Sequence, residues 1–91
     1  MKIDIIDLKL VKHEIVKANF TIVINDCVEL FGFRLMYSKN KEVYYIASPS
    51  NKYNDKYYDL VRFSEPMRKR ILSEVIDCYN LNNKSNITFV D

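Results

Sequence analysis

The stretch that decides the fold is IVKANFTIVINDCVELFGFRLMY, residues 15–37. Its first ten residues are rich in β-branched side chains, which favour strands. Asn25 and Asp26 then form a pair that tolerates the left-handed backbone angles of a two-residue hairpin turn. Residues 27–37 are again strand-like, so the stretch predicts an antiparallel hairpin. Gly32, the one glycine in the chain, lies inside the second strand, where a β-bulge or a close backbone approach usually explains a glycine.

Another strand is predicted before this hairpin. Residues 3–10, IDIIDLKL, alternate apolar and polar side chains imperfectly, a pattern typical of a strand with one buried face. We expect four residues to reach the core: Ile3, Ile5, Leu8 and Leu10.

The chain after the hairpin predicts shorter strands. A polar turn, SKNKE, leads into the apolar residues 43–47, VYYIA. Pro49 ends this strand because proline has no N–H to donate to a ladder. Residues 50–58, SNKYNDKYY, predict a polar, tyrosine-rich loop, with the alternative that it returns as a short strand through YYDLV, residues 57–61.

Residues 64–79, SEPMRKRILSEVIDCY, predict the one main helix. Ser64 or Glu65 can cap it, and Pro66 suits the first turn, where the missing N–H costs nothing. At about 100° per residue, one broad arc of this helix is apolar. The arc contains Met67, Ile71, Leu72, Val75, Ile76, Cys78 and Tyr79. Residues 80–91 end the helix and then form either an extra strand, through NITFVD, or a tail.

Together these elements predict an α+β fold. We expect an antiparallel sheet of about four to six strands with one main C-terminal helix on one face, in a single domain of residues 1–91. A chain of 91 residues buries only a modest core, so a partner subunit is expected.

The composition is that of a folded protein, with 48% apolar and 29% charged residues. A formal net charge of +2 is too small to indicate nucleic-acid binding unless the cations cluster. No apolar run has the length of a membrane span, and residues 1–10 lack an export signal. We therefore expect a cytoplasmic protein whose Cys27 and Cys78 are reduced and buried.

The residue types argue against an enzyme. His13 is the only histidine and is interpreted as a solvated turn residue. Two cysteines fifty-one positions apart do not have zinc-site spacing, and a single glycine cannot build a phosphate-binding loop. The four aspartates Asp4, Asp7, Asp26 and Asp59 have no spacing that selects an acid–base pair. We expect no catalytic residues, no metal, no cofactor and no small-molecule substrate.

Three cations lie where the helix should begin. Arg68, Lys69 and Arg70 occupy its first turns, although a helix N-terminus carries partial positive charge and favours acidic side chains. Arg70 projects toward the polar side, and Lys69 lies at the border of the apolar arc. The two form either a solvated face with an Arg70–Glu74 pair or a phosphate site that the helix dipole assists. Arg68 projects toward the apolar arc, where it either pairs with a carboxylate such as Asp59 or reaches an anion.

The tyrosines of residues 50–58 also have two interpretations. Lys52 and Lys56 alternate with Tyr53, Tyr57 and Tyr58, an arrangement that can stack and neutralise single-stranded nucleic acid. Alternatively, these rings pack on the sheet and keep only their hydroxyls in water. For Tyr44 and Tyr45 we favour packing on the sheet.

The order of these motifs resembles the SpoVG family of bacterial septation and sporulation regulators. IDLKL matches a T-D-V-R-L strand, GFRLM places Arg34 on the arginine of a D-I-R-V-I strand, and ASPS, residues 47–50, matches an A-M-P-S corner. YYDL places Asp59 on the aspartate of Y-R-D-I, and MRKRILSEVIDCY matches the family's T-R-x-K-I-x-x-A-V-L-x-x-Y helix. The similarity covers roughly residues 3–80. It departs at SKNKE, at NDK and at the helix entry, where a glycine-rich turn, a P-D-G turn and an H-P dipeptide are replaced.

This resemblance implies a homodimer, paired through its sheets, that binds DNA and often RNA with modest sequence preference. It implies that basic residues of the helix and of the loop after the fourth strand bind nucleic acid. Those positions hold Arg68, Lys69, Arg70 and Lys52, and Lys56 lies in the same loop. Arg34 and Asp59 are alternatively expected to form a structural or dimer salt bridge.

The function expected from both arguments is a non-enzymatic, cytoplasmic regulator of septation, sporulation or gene expression that binds nucleic-acid phosphates. The alternative is a protein–protein adaptor in cell-division control, which would use the basic helix and an exposed sheet edge.

Overall fold

The computed structural model describes residues 1–83, in which six strands precede one helix. The elements are β1 (Ile3–Leu10), β2 (Val16–Ile24), β3 (Val28–Ser38), β4 (Val43–Ala47), β5 (Ser50–Tyr53), β6 (Lys56–Asp59) and α1 (Glu65–Asn83). Strands β1 to β4 form one antiparallel sheet in sequence order, while β5 and β6 form a separate two-stranded sheet. The predicted α+β class is confirmed. The strand or tail expected from NITFVD lies outside the described residues.

Two hairpins turn on Asn–Asp pairs. Asn25 and Asp26, between β2 and β3, have φ values of 52° and 56°, and Asn54 and Asp55, between β5 and β6, have 48° and 62°. Positive φ at both central residues matches the twist of adjoining strands. The predicted central hairpin is confirmed, but its loop has three residues rather than two, because Ile24 pairs with Val28 and leaves Cys27 in the loop. The returning strand expected through residues 57–61 exists as β6 (Lys56–Asp59), and the expected loop also contains a strand, β5 (Ser50–Tyr53).

The imperfect alternation of β1 has a structural cause. Its register with β2 shifts between Ile6 and Lys9, and Asp7 in that interval has a φ of 52°. The extra residue of this bulge lets both Ile5 and Leu8 pack against the core. The expectation for Leu10 is wrong, since this residue is exposed. It is the last residue of an outer strand, which has a neighbouring strand on one side only.

The core lies between one face of the four-stranded sheet and α1. Its fully buried residues include Ile22, Phe33 and Leu35 from the sheet and Ile71, Val75 and Ile76 from the helix. The predicted apolar arc of the helix therefore faces the sheet. The expectation of two buried cysteines is wrong for Cys27, which is exposed next to the β2–β3 turn, whereas Cys78 is half-buried.

Gly32 lies at a bulge in β3, as expected. The register between β2 and β3 shifts between Phe20 and Ile22, and Gly32 has a φ of 83°. A Cβ added to Gly32 would lie 3.3 Å from the Cβ of Pro49. Gly32 thus permits both the backbone angle and the close passage of the chain that leaves β4.

Neither a membrane-spanning helix nor a cluster of metal ligands occurs within residues 1–83. Among residues 1–83, α1 lacks the long apolar sequence that a membrane-spanning helix needs. Across the same residues, no group of three or more potential metal ligands comes together.

Candidate nucleic-acid interface

A cavity of about 480 Å³ lies beyond the end of β4 and is bordered by three arginines. Arg34 comes from β3, Arg62 from the segment between β6 and α1, and Arg68 from the first turns of α1. The one carboxylate among the described lining residues is that of Asp59, at the end of β6. The remaining lining residues are Tyr45, Ile46, Ala47, Ser48, Ser50, Val61 and Phe63.

Sheet register and helix capping place two of these arginines. Arg34 pairs with Ala47, so its side chain lies on the opposite face of the sheet from the buried Phe33 and Leu35. The backbone N–H of Arg68 donates to the carbonyl oxygen of Ser64 at 2.9 Å, which closes the first helical turn. Arg68 therefore lies at the edge of the core rather than inside it, and its side chain is exposed.

Aromatic packing places the third arginine. The ring of Phe63 lies 5.8 Å from that of Phe33, centroid to centroid, which fixes the segment between β6 and α1 against the sheet. Arg62, one residue earlier, borders the cavity. Sequence reasoning did not select Arg62, because an arginine in an irregular segment has no periodicity that indicates its direction.

The three arginines leave the cavity positively charged. Within residues 1–83, no ion pair of 4.0 Å or less joins Asp59 to Arg34, Arg62 or Arg68. The structure thus brings Arg34 and Asp59 to the same cavity without a salt bridge between them in one chain. Three exposed guanidinium groups opposite one carboxylate favour the entry of an anion, and a phosphate matches the planar fork of arginine.

Lys69 and Arg70, the other two cations in the first turns of the helix, do not line the cavity. The Nη2 of Arg70 donates to the backbone oxygen of Met1 at 2.8 Å, and its Nε lies 3.8 Å from Oε1 of Glu74. Arg70 therefore ties the helix to the start of β1 and also makes the predicted pair with Glu74. Lys69 is exposed in the same turns and makes an interaction of its own. The structure groups Arg68 with Arg34 and Arg62 rather than with Lys69 and Arg70.

The β5–β6 hairpin extends from the rim of the cavity. Ser50 and Asp59, paired at its base, both line the cavity. Lys52 pairs with Tyr57, and its Nζ lies 5.9 Å from the centre of that ring. Tyr53 pairs with Lys56 at the next position, so each face of the hairpin carries one of the two lysines.

The tyrosines differ in solvent exposure according to their position in the fold. Tyr53 and Tyr57 are 69% and 72% exposed, so their rings do not pack on the main sheet. Tyr44 is half-buried, as expected, with its ring centre 4.8 Å from that of Tyr37. Tyr45 lies on the other face of β4 and is 41% exposed. It lies between Tyr44 and Ile46, which face the core.

The pKa values of Lys2 and Tyr44 are shifted, and neither side chain borders the cavity. The hydrogen bond and charge of Asp26 raise the pKa of the Lys2 ammonium group, which lies 3.1 Å from that carboxylate. Burial, followed by the charges of Tyr79 and Tyr37, raises the pKa of the Tyr44 hydroxyl. His13 has a structural role in the turn between β1 and β2, where its Nδ1 accepts the backbone N–H groups of Ile15 and Val16.

Comparison with known proteins adds no assignment: no family model matches this chain, and neither a curated protein nor a solved structure matches it.

Proposed function

We propose that this protein is a non-enzymatic, cytoplasmic regulator that binds DNA or RNA through phosphates, in septation, sporulation or gene expression. The observation that carries the proposal is the convergence of Arg34, Arg62 and Arg68 on one cavity. Because the net charge is only +2, such clustering is what a phosphate-binding surface requires.

The proposed surface has a centre and a periphery. Arg34, Arg62 and Arg68 border the cavity, and Lys52 and Lys56 extend the surface along the hairpin. Lys69 and Arg70 lie on the same first turns of α1 as Arg68, and they contribute mainly to the electrostatic field. Since phosphate contacts supply most of the affinity in this arrangement, binding should weaken steeply as salt increases.

The first prediction is that Arg34→Gln combined with Arg68→Gln weakens binding by about tenfold or more, since each variant removes charge-assisted hydrogen bonds. It should also lower the slope of log affinity against log salt by about two, one for each lost contact. Fluorescence anisotropy with labelled DNA and RNA oligonucleotides of mixed sequence, at low and moderate salt, measures both quantities.

Lys39→Gln is the control for loss of one charge away from the cavity, because Lys39 is exposed in the turn between β3 and β4 and pairs with Glu14 at 2.8 Å. It removes one positive charge and should leave the salt slope nearly unchanged. A second comparison is Lys69→Ala with Arg70→Ala, which should reduce affinity less than the cavity pair. Equal binding by the wild type and the Arg34/Arg68 variant would contradict the proposal.

We also propose that the protein acts as a homodimer paired through its sheets. Among residues 1–83, β1 and β4 are the outer strands of the four-stranded sheet, and a strand at an edge can pair with another chain. A dimer would present two arginine cavities to one nucleic acid and so increase the apparent affinity.

A protein–protein adaptor is the second candidate function. The exposed apolar side chains Tyr53, Tyr57 and Leu60, on and just after the β5–β6 hairpin, favour it because such groups suit a partner protein. Retention of one defined protein after nuclease treatment, together with no binding to any oligonucleotide, would select this function over the first.

A further inference from the structure

The sheet face opposite α1 carries a row of polar residues on β1, β2 and β3 that ends at Ala47 on β4. Lys9 pairs with Asn19, Asn19 with Arg34, and Arg34 with Ala47. Residues that pair directly share a face, so these side chains form one line from β1 to β4. Lys9, Asn19 and Arg34 are all exposed.

A groove of about 500 Å³ lies along this row. Its described lining residues are Asp7, Lys9, Asn19, Phe20, Thr21, Phe31, Gly32, Phe33 and Arg34. Arg34 also borders the arginine cavity, so the groove and the cavity meet at this residue. Cations therefore continue from Lys9 through Arg34 to Arg62 and Arg68.

Two aromatic side chains flank the row. Phe31, beside the bulge at Gly32, lines the groove and is 63% exposed. Tyr45, two residues before Ala47 on β4, lies on the same face as Arg34 and is 41% exposed. A flat sheet with outward aromatic rings and cations between them is a surface on which unpaired bases can stack.

We infer that single-stranded nucleic acid crosses this face, with bases stacked on Phe31 and Tyr45 and phosphates at Lys9 and Arg34. The nucleic-acid strand then continues into the arginine cavity. This inference rests on the proposed function and makes the ligand more specific. A duplex would not use the face in this way, because its bases are already stacked on one another and their planes are not accessible to side chains.

Charge argues against a second copy as the occupant of this face. A two-fold contact centred on Arg34 would place the arginine of each copy beside the same arginine of its partner. Burying like charges together is unfavourable, whereas the phosphates of a nucleic-acid strand neutralise them.

Fluorescence anisotropy of the full chain with four labelled probes tests the inference: a dodecamer of uridine, a dodecamer of thymidine, a twelve-base-pair duplex and a twelve-unit abasic strand. We expect the two base-bearing single strands to bind more tightly than the duplex and the abasic strand. Phe31→Leu and Tyr45→Leu should each weaken single-strand binding by about fivefold or more, and Phe31→Leu, at a position outside the arginine cavity, should leave duplex binding unchanged. Lys9→Gln should lower the single-strand salt slope by about one.

Tyr57→Leu is the comparison variant, because Tyr57 is an exposed tyrosine on the β5–β6 hairpin and so separates stacking on the hairpin from stacking on the sheet face. If Phe31→Leu lowers the melting temperature, the ring signals of Phe31 and Tyr45 can be followed by NMR in the wild type. Stacking of the uridine strand should shift both sets of signals upfield.

Several outcomes would overturn the inference. The first is equal affinity for single strand, abasic strand and duplex. Another is a loss of single-strand binding in Tyr57→Leu that Phe31→Leu and Tyr45→Leu do not show. A change in sedimentation coefficient caused by Phe31→Leu would identify a second copy as the occupant. Absence of binding to all four probes would remove the proposed function itself, which separates the two failures.

Discussion

At the residue scale, the backbone conformation of Gly32 affects both the packing of the fold and the exposure of Phe31 on the proposed binding face. Its φ of 83° is in the region that side chains of other residues rarely adopt, and Pro49 lies against it. Phe31, the adjacent residue, owes its exposure to the same bulge.

We predict that Gly32→Ala lowers the free energy of unfolding by about 1–3 kcal/mol, through backbone strain and contact with Pro49. In a domain of this size, each kcal/mol corresponds to about 4–8 °C in melting temperature. Thermal unfolding followed by circular dichroism measures the change, with Ser50→Ala as the control at an exposed position after Pro49. A melting temperature equal to that of the wild type would show that the bulge tolerates a side chain.

Tyr44 predicts a loss of stability in alkaline solution. Its folded pKa is raised above 10.0, mainly by burial, so the folded state keeps the hydroxyl proton at pH values where the unfolded state has lost it. The stability is therefore complete below about pH 10 and decreases as the pH rises toward the folded pKa. Urea unfolding at pH 9, 10 and 11 should show a steeper decrease for the wild type than for Tyr44→Phe. Parallel curves for the two proteins would contradict the assignment.

At the element scale, the β5–β6 hairpin is the least supported part of the described structure. All residues of both strands are exposed, so its order depends on the strand ladder and on the Asn54–Asp55 turn. Elements with few buried contacts open with a small free energy. The same exposure leaves Lys52 and Lys56 accessible to a ligand.

We predict that Asn54→Val opens this hairpin, because a β-branched residue does not tolerate the φ of 48° at that position. Amide hydrogen exchange should become faster in residues 50–59, while the melting temperature changes by no more than about 2 °C, since no core residue is affected. Asp55→Gly is the control, since glycine favours this turn and should preserve the protection. Loss of protection in β1 to β4 would show that the hairpin supports the main sheet.

At the scale of the whole molecule, the core is small. Ten apolar residues are buried among the described part of the chain, and the outer strands β1 and β4 are available for pairing. A second copy that pairs along such an edge would add buried surface to each protomer.

If the folded protein is a dimer, its melting temperature depends on protein concentration, since dissociation accompanies unfolding. We predict a rise of several degrees between about 2 µM and about 200 µM. Sedimentation velocity over the same range should show the dimer at the upper end. A constant melting temperature and a single monomer boundary would exclude it.

The elements of the fold could be predicted from the sequence because their causes are local. The Asn25–Asp26 pair, Pro49 and the apolar arc around Ile71 each act within a few residues of the chain. The errors at Leu10 and Cys27 arose because burial depends on which strands and helices lie nearby in space, and these are distant in sequence. Tyr44 and Tyr45 are the same residue type and are adjacent in sequence. Only the alternation of side chains along the strand directs Tyr45 outward.

The sequence by itself determined the central hairpin, the positions of the turns, the helix and its apolar face, because backbone preference and side-chain periodicity act over short segments. It also identified Arg34, Arg68 and Lys52 as candidate site residues. Only the tertiary structure decided that Arg34, Arg62 and Arg68 share one cavity, and that Lys9, Arg34, Phe31 and Tyr45 share one face. Strand register, the bulges at Asp7 and Gly32, and the packing of Phe63 on Phe33 fix those positions. Each of them depends on contacts between residues far apart in the chain.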